Sequence, residues 1–174
     1  TKVLRRGSVA VSFRIIVSTI VLTFAINISA KENIFDLPPF ERAICCIKYY
    51  EGLHRAKDYP YVGFGHRLLP GEYYSSNMSY AEAETLLRKD LKNLCKMFRC
   101  YGKDSLLLAT LAYNIGPYKI LGNKKYPKSN LLRKIEAGKR DIKIEYIDYC
   151  HWNGKKTHSI MRRRAAELVL LYVP

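Results

Sequence analysis

One carboxyl group in the sequence lies where it could act as an acid. Glu51 follows Ile44 by seven residues and Ile47 by four, so a helix places it on the same apolar face. Gly52 comes next and predicts that the helix ends there. Apolar surroundings and the negative end of the helix dipole both disfavour a charged carboxylate. Such a carboxyl group can stay protonated and donate its proton, as the leaving oxygen of a glycoside requires. A terminal Glu can equally point into water or pair with a lysine.

The residues around Glu51 predict the elements that must position it. Asp36-Leu-Pro-Pro39 is typical of a helix start, and residues 40–47 continue with helical spacing of apolar side chains. Residues 59–74 are rich in tyrosine and glycine and contain the turn signal Pro70-Gly71, which indicates a small β-hairpin lobe. Ser79-Tyr-Ala-Glu82 is a capping box that opens a long helix.

The second half of the chain is predicted to be helical. Residues 106–115 are apolar nearly all round, which indicates the central buried helix of the domain, and Asp104 is expected to cap its start. Three further helices are predicted over residues 129–137, 142–149 and 158–172. The fold class is therefore α+β, mainly α, with a helical lobe beside the small β-hairpin lobe.

The N-terminus has the pattern of an export signal. The first 30 residues contain four basic residues and no acidic one, an apolar run over residues 15–26, and small residues at Ser29-Ala30. This is the layout of a secretory signal peptide cleaved after Ala30, so residues 31–174 are predicted to form the mature domain. The alternative is an uncleaved membrane anchor, although a spanning helix requires roughly 20 mostly apolar residues.

The chain is strongly basic. Its formal charge is +15, and removal of residues 1–30 leaves 26 basic and 15 acidic residues, a charge of +11. Such a charge indicates a polyanionic partner, such as cell wall, nucleic acid or anionic membrane, or simply a solvated basic surface. Nucleic acid is disfavoured because basic and aromatic residues are not interleaved on any one helix or sheet face. We expect membrane contact only through the N-terminal segment.

Most of the five cysteines are expected to be small buried hydrophobes, and the disulfide pairing is left open. An odd number leaves at least one thiol outside any intramolecular disulfide. Cys45 and Cys46 are adjacent and point about 100° apart on a helix, and Cys95 and Cys100 are too far apart to bridge within one helix. The sequence contains no C-x-x-C and no H-x-x-x-H pattern, so we expect no metal and no cofactor.

Four segments match one family in order and spacing. A Glu-Gly pair ends a helix, a Gly-aromatic-Gly-His strand follows, an apolar helix carries an Asn, and the last helix has an Arg-rich motif closed by Glu. These segments are Tyr50-Glu-Gly-Leu53, Val62-Gly-Phe-Gly-His66, Leu111-Ala-Tyr-Asn-Ile-Gly116 and Arg162-Arg-Arg-Ala-Ala-Glu167. The chain resembles the phage-type lysozymes, or endolysins, over roughly residues 38–172. The resemblance implies a lysozyme-like fold and a catalytic role for Glu51.

The sequence departs from this family between the Glu and the His. The family carries an Asp and then a Thr there, but here the hairpin is shorter by several residues and Glu51 and His66 are only 15 apart. The nearest acid is Asp58, which is predicted either to orient water as a general base or to cap the hairpin. Tyr61 stands at the Thr position and could hydrogen-bond water or substrate, or fill a sugar subsite. His54 is a further candidate polar partner of Glu51.

Other residues of the matching segments are expected to support the site. The resemblance assigns His66 to the base of the hairpin, where it can hydrogen-bond the neighbouring helix, and suggests that Asn114 lines the cleft floor. A structural amide is the alternative for Asn114. Among the arginines at 162–164, at most two can reach one network with Glu167, and Arg163 is the candidate nearest the site. Trp152, which lies later than the family's Trp, is expected to stack on the domain core rather than on sugar.

The sequence therefore predicts a monomeric, exported peptidoglycan hydrolase that acts in the periplasm or outside the cell. Glu51 would protonate the glycosidic oxygen between N-acetylmuramic acid and N-acetylglucosamine, and Asp58, with Tyr61, would position water. Two alternatives stay open. A lytic transglycosylase can work with one Glu and forms an anhydro sugar, and a cell-wall-binding protein with a degraded site would use the cleft for recognition alone.

Overall fold

The computed structural model describes residues 33–174, so the predicted signal segment 1–30 lies outside the described residues. The first helix, α1 (Pro39–Glu51), has proline in its first turn and ends at Gly52, whose φ of 67° is readily adopted by glycine. Its buried residues are Ala43, Ile44, Cys46 and Ile47. The predicted helix and its end after Glu51 are therefore confirmed.

The remaining helices follow in chain order. Three are long or of medium length, namely α2 (Tyr80–Met97), α3 (Ser105–Ile115) and α7 (His158–Leu171), and three are short, namely α4 (Tyr118–Leu121), α5 (Asn130–Glu136) and α6 (Lys143–Ile147). Short 3₁₀ turns occur at Ile34–Asp36, Ala56–Asp58 and Arg99–Asp104. Helix α3 packs against α1, α2 and α7, and its residues 107–112 are all buried. The prediction of a central buried helix is therefore confirmed.

The hairpin lobe (residues 59–74) contains the antiparallel strands β1 (Tyr61–Val62) and β2 (His66–Arg67), with Val62 opposite His66. Gly63 opens the turn between them at a φ of 58°, in the left-handed region that favours glycine. A Cβ at Gly63 would lie 3.3 Å from Cβ of Ala83, so the hairpin packs closely on α2. The structure thus has the small β element that the sequence predicts beside a helical lobe.

Helix α2 begins at the predicted capping box and is tied to α1 by an ion pair. The backbone N–H of Ser79 donates to Oε2 of Glu82 at 2.9 Å, and the backbone N–H of Glu82 donates to Oγ of Ser79 at 3.3 Å. Further along α2, the guanidinium of Arg88 donates to both carboxylate oxygens of Glu41 on α1, each at 2.7 Å.

A second hairpin, which the sequence analysis missed, joins α6 to α7. It pairs β3 (His151–Trp152) with β4 (Lys155–Lys156) through the two-residue turn Asn153-Gly154. Both turn residues have positive φ, 48° and 75°, as a type I′ turn requires. Asn-Gly is a strong hairpin signal, but strands of two residues are too short to show alternation in the sequence. Helix α6 is also shorter than the predicted residues 142–149.

The expected side-chain cap at Asp104 is wrong. Asp104 directly precedes α3, but no capping hydrogen bond from its side chain is formed there. Its carboxylate instead accepts two hydrogen bonds from the guanidinium of Arg140, at 2.6 and 2.9 Å. The preceding 3₁₀ turn leaves Asp104 with helical dihedral angles rather than the extended ones that a capping residue adopts.

Within residues 33–174, no helix has the length and apolar character needed to span a membrane. The same residues contain no group of three or more His, Cys, Asp or Glu placed to hold a metal ion. All five cysteines are free, and only Cys46 and Cys150 are fully buried, while Cys100 is exposed. The expectation of buried hydrophobic cysteines therefore holds for part of the set.

Candidate active site

A cleft of about 770 Å³ lies between the hairpin lobe and the helical lobe. Glu51 lies in its wall at the end of α1. The hairpin lobe and the loop before it contribute His54, Tyr61, Gly65 and His66 to the lining. Helix α2 contributes Asp90 and Asn93. The end of α3, the residues after it and the second hairpin contribute Asn114, Gly116, Pro117 and Trp152. The cleft is open to solvent, and its volume lies in the range of sites that bind small molecules.

The carboxyl group of Glu51 is held by two side chains from the helical lobe. Nη1 of Arg163 on α7 donates to Oε1 of Glu51 at 2.6 Å, and Nδ2 of Asn114 donates to the same oxygen at 3.4 Å. The other oxygen, Oε2, lies beside Gly65, where a Cβ would be only 3.3 Å away. The side chain is 18% exposed, so the carboxyl group is partly shielded but still reaches the cleft.

The surroundings of Glu51 differ from those expected from its helix alone. The apolar face of α1 places Glu51 against the core as predicted, but the residue that meets it there is the cationic Arg163. Glu51 is thus ion-paired with a guanidinium instead of being surrounded by apolar side chains alone. Arg163 is 112 residues away in the sequence, so helix periodicity could not reveal this pair.

Arg163 belongs to a buried network that fixes its position. Nε of Arg163 donates to Oε1 of Glu167 at 2.9 Å, and Nη1 of Arg164 donates to Oε2 of Glu167 at 2.5 Å. The hydroxyl of Tyr146 donates to the same carboxylate at 2.9 Å. Burial opposes the charge on Arg163, but Glu167 and Glu51 outweigh burial and raise the pKa of Arg163. Arg163 and Arg164 are buried and share Glu167, whereas Arg162 is exposed.

The same network orients Asn114. Nη2 of Arg164 donates to Oδ1 of Asn114, and this contact directs the amide nitrogen of Asn114 towards Glu51. Asn114 therefore lines the cleft and is also hydrogen-bonded as a structural amide. The sequence analysis gave these two roles as alternatives. It links the end of α3 to the carboxyl group at the end of α1.

Asp58 is not among the described residues that line the cleft. It ends the 3₁₀ turn Ala56–Asp58, and its carboxylate accepts a hydrogen bond from the backbone N–H of Arg55 at 2.8 Å. The carboxylate thus caps the 3₁₀ turn before the hairpin, whereas the alternative given by the sequence analysis was a cap of the hairpin itself. The cleft thus brings together Glu51, His54, Tyr61 and Asn114, but Asp58 lies outside its lining.

His54 and Tyr61 lie near each other in the cleft, with ring centroids 6.1 Å apart. The backbone N–H of His54 donates to the carbonyl of Gly63 at 2.7 Å, which fixes the chain next to the hairpin. Nδ1 of His54 is buried and has no hydrogen-bond partner among the described residues. Tyr61 is 43% exposed. Tyr61 is therefore open to contact with a bound molecule, whereas Nδ1 of His54 is closed off from solvent.

His66 joins the hairpin lobe to α2. Its Nδ1 lies 2.7 Å from Oδ2 of Asp90 on α2, and its Nε2 lies 2.9 Å from Oε2 of Glu72 in the hairpin lobe. Burial opposes protonation of His66, but the hydrogen bonds with Asp90 and Glu72 outweigh burial and raise the pKa of His66. The sequence analysis missed both acidic partners, because Asp90 is 24 residues away on another element and Glu72 lies beyond the end of β2, so no local periodicity relates either to His66.

The position of Trp152 differs from the expected one. Its side chain is 68% exposed, and it contributes to the lining of the cleft rather than to the core. The second hairpin holds it there, and this hairpin was not predicted.

The comparisons with known proteins agree with this geometry. The family model described as Phage lysozyme matches residues 48–167, a span that contains Glu51, the hairpin lobe, α3 and the arginine network. No curated protein matches the chain. The matched span covers well over half of the 174 residues. The chain belongs to the phage lysozyme family.

Proposed function

We propose that this protein is an N-acetylmuramidase that cleaves the bond between N-acetylmuramic acid and N-acetylglucosamine, with Glu51 as the general acid. Family membership supports a peptidoglycan hydrolase of the lysozyme type in general. The observation that carries the finer assignment is the placement of the Glu51 carboxyl group in the cleft wall, held by Arg163 and Asn114.

The two oxygens of Glu51 have different surroundings, and this supports different tasks for them. Oε1 accepts the hydrogen bonds from Arg163 and Asn114, which leaves Oε2, beside Gly65, to carry the proton. Arg163 also binds Glu167, so its guanidinium is shared between two carboxyl groups. A glycan in the cleft would displace water and place its glycosidic oxygen within reach of the acid.

A separate set of residues is proposed to handle the water and contact the substrate. Asp58 remains the proposed second carboxylate, which orients water or stabilises the oxocarbenium-like transition state. His54 and Tyr61 are proposed to contact the substrate, since both line the cleft and Tyr61 is 43% exposed. Neither a metal nor a cofactor has a part in this mechanism.

One observation favours a second candidate, a lytic transglycosylase. Among the described residues, the carboxylates lining the cleft are Glu51 and Asp90, and Asp90 is hydrogen-bonded to His66. A transglycosylase needs a single Glu and closes an anhydro ring instead of adding water. Mass analysis of the released fragments separates the two reactions, because the anhydro product lacks one water.

Action on peptidoglycan implies a site of action in the periplasm or outside the cell. We propose export through the basic and apolar segment at residues 1–30, and action as a monomer. The excess of basic residues would attract the protein to an anionic wall, more weakly as salt rises.

The test is a turbidity assay on purified peptidoglycan with the wild type, Glu51→Gln and Asp58→Asn. Loss of a general acid typically lowers the rate by about 10²- to 10⁴-fold, so Glu51→Gln should remove activity while its circular dichroism spectrum is unchanged. Glu136→Gln, which alters a surface carboxyl group on α5, is the matched control and should retain full activity. Activity retained in Glu51→Gln would reject the assignment, and wall binding without turbidity loss in the wild type would indicate a non-catalytic binding protein.

A further inference from the structure

Trp152 is a large aromatic side chain left exposed at the edge of the cleft. It is the only tryptophan in the sequence and is 68% exposed. It lines the same cleft as Glu51 and Asn114, and Pro117 lies in the same wall. Exposed aromatic surface in a concave site is characteristic of ligand binding, because the apolar ring gains free energy when it leaves water.

The segment that carries Trp152 is held in place at several points. The type I′ turn Asn153-Gly154 closes the hairpin directly after Trp152. On one side, Nδ1 of His151 lies 2.8 Å from the carbonyl oxygen of Asp148, and at the base the N–H of Thr157 donates to the carbonyl of Cys150 at 2.9 Å. The backbone that carries the ring is thus held by hydrogen bonds, so little backbone conformational entropy is lost when a ligand covers the ring.

We infer that Trp152 is a stacking surface for a sugar ring of the glycan, an inference that rests on the proposed function of the Glu51 cleft. A pyranose ring presents a face of C–H groups that is apolar and nearly flat, and such a face matches the indole ring. The glycan is favoured over the stem peptide because the bond that reaches Glu51 is glycosidic, and Trp152 lines the same cleft. Trp152 acts in binding and does not touch the reacting atoms.

Because Trp152 is the only tryptophan, the intrinsic tryptophan fluorescence of the whole chain reports on this one side chain. The experiment uses Glu51→Gln, so that binding is measured without turnover. Two probes are compared, namely glycan strands from which the stem peptides have been removed, and the free stem peptides. Glycan strands should shift the emission to shorter wavelength and reduce acrylamide quenching about twofold or more, because a stacked ring leaves water.

Two results of this titration would overturn the inference. One is an emission spectrum that glycan strands leave unchanged, and the other is a change produced by the stem peptides and not by the glycan. A glycan-dependent shift in a protein whose wild type shows no lytic activity would support the stacking surface while rejecting the proposed hydrolase. The two failures are therefore distinguishable.

Variants at Trp152 give a second, independent measurement. Trp152→Ala should raise the half-saturating concentration of peptidoglycan roughly threefold to tenfold, with the maximal rate changed less than about twofold. Trp152→Phe, which keeps an aromatic ring, should recover most of the loss. Tyr73→Ala is the matched control, since Tyr73 is 94% exposed but is not among the described residues lining the cleft. Loss of maximal rate with unchanged half-saturation in Trp152→Ala would contradict the inference.

Discussion

Arg163 connects the proposed acid to the buried core, and its replacement is the most informative perturbation of this fold. The side chain is only 6% exposed, with Nη1 donating to Glu51 at 2.6 Å and Nε donating to Glu167 at 2.9 Å. Arg163→Met keeps much of the apolar stem but removes the guanidinium. Two carboxylates then lose their common cation.

The expected cost follows from the surroundings of these two carboxylates. Removal of one partner from a buried ion pair typically costs about 3–5 kcal/mol. Glu167 is fully buried but keeps Arg164 and Tyr146, and Glu51 is 18% exposed and can be partly hydrated. Both facts place the expected loss of folding free energy near the lower end of this range, at about 3 kcal/mol. For a chain of this size, that loss corresponds to a thermal unfolding midpoint lowered by roughly 6–12 °C.

Urea unfolding followed by circular dichroism measures this loss. Arg162→Met is the matched control, because Arg162 is the preceding residue of the same helix and is exposed. Its free energy of unfolding should stay within about 0.5 kcal/mol of the wild type. The free energy of unfolding of Arg163→Lys should lie between those of Arg163→Met and Arg162→Met, since a single ammonium group cannot reproduce the geometry of a guanidinium that binds two carboxylates.

Lytic activity of the folded variants provides the second measurement. Loss of the hydrogen bond from Arg163 should displace the Glu51 carboxyl group, and a displacement of about 1 Å can lower a rate by roughly 10²-fold. If Arg163→Met unfolds with the same free energy as Arg162→Met and lyses peptidoglycan at the wild-type rate, the network does not hold Glu51. The reasoning given for the whole site would then be refuted.

Two further predictions concern the hairpin lobe. His66→Gln should destabilise the fold most below pH 6.5, where the protonated ring can donate to both Asp90 and Glu72. The difference from wild type should shrink as pH rises through the raised pKa of His66, because the neutral ring has one N–H and can donate to only one of these carboxylates. Urea unfolding that shows the opposite pH trend would contradict this. Gly65→Ala and Gly71→Ala, at φ values of 93° and 88°, should each lower the free energy of unfolding by about 1 kcal/mol or more. Only Gly65→Ala should also lower lytic activity, by about tenfold or more, because its Cβ would meet Oε2 of Glu51, whereas a Cβ at Gly71 has open space around it. Equal activity in the two variants would exclude crowding of Glu51.

Much of the fold was predictable because it depends on signals within a few residues. The spacing of Ile44, Ile47 and Glu51 placed the proposed acid at the end of an apolar helical face. Ser79 and Glu82 marked the start of α2 through a capping box that the structure contains. The second hairpin was not predicted, although Asn153-Gly154 is a hairpin signal. Its strands have only two residues each, which is too short for an alternating pattern to be visible in the sequence.

The sequence by itself therefore determined the longer helices, the glycine-rich hairpin and the position of Glu51 at a helix end, since these follow from local periodicity and backbone preference. Only the tertiary structure decided which side chains meet there. It brought Arg163 to Glu51 across 112 residues, placed Asp58 outside the cleft lining and turned Trp152 towards it. The physical reason is that such contacts are fixed by how whole helices pack, and a one-dimensional pattern does not contain their relative positions.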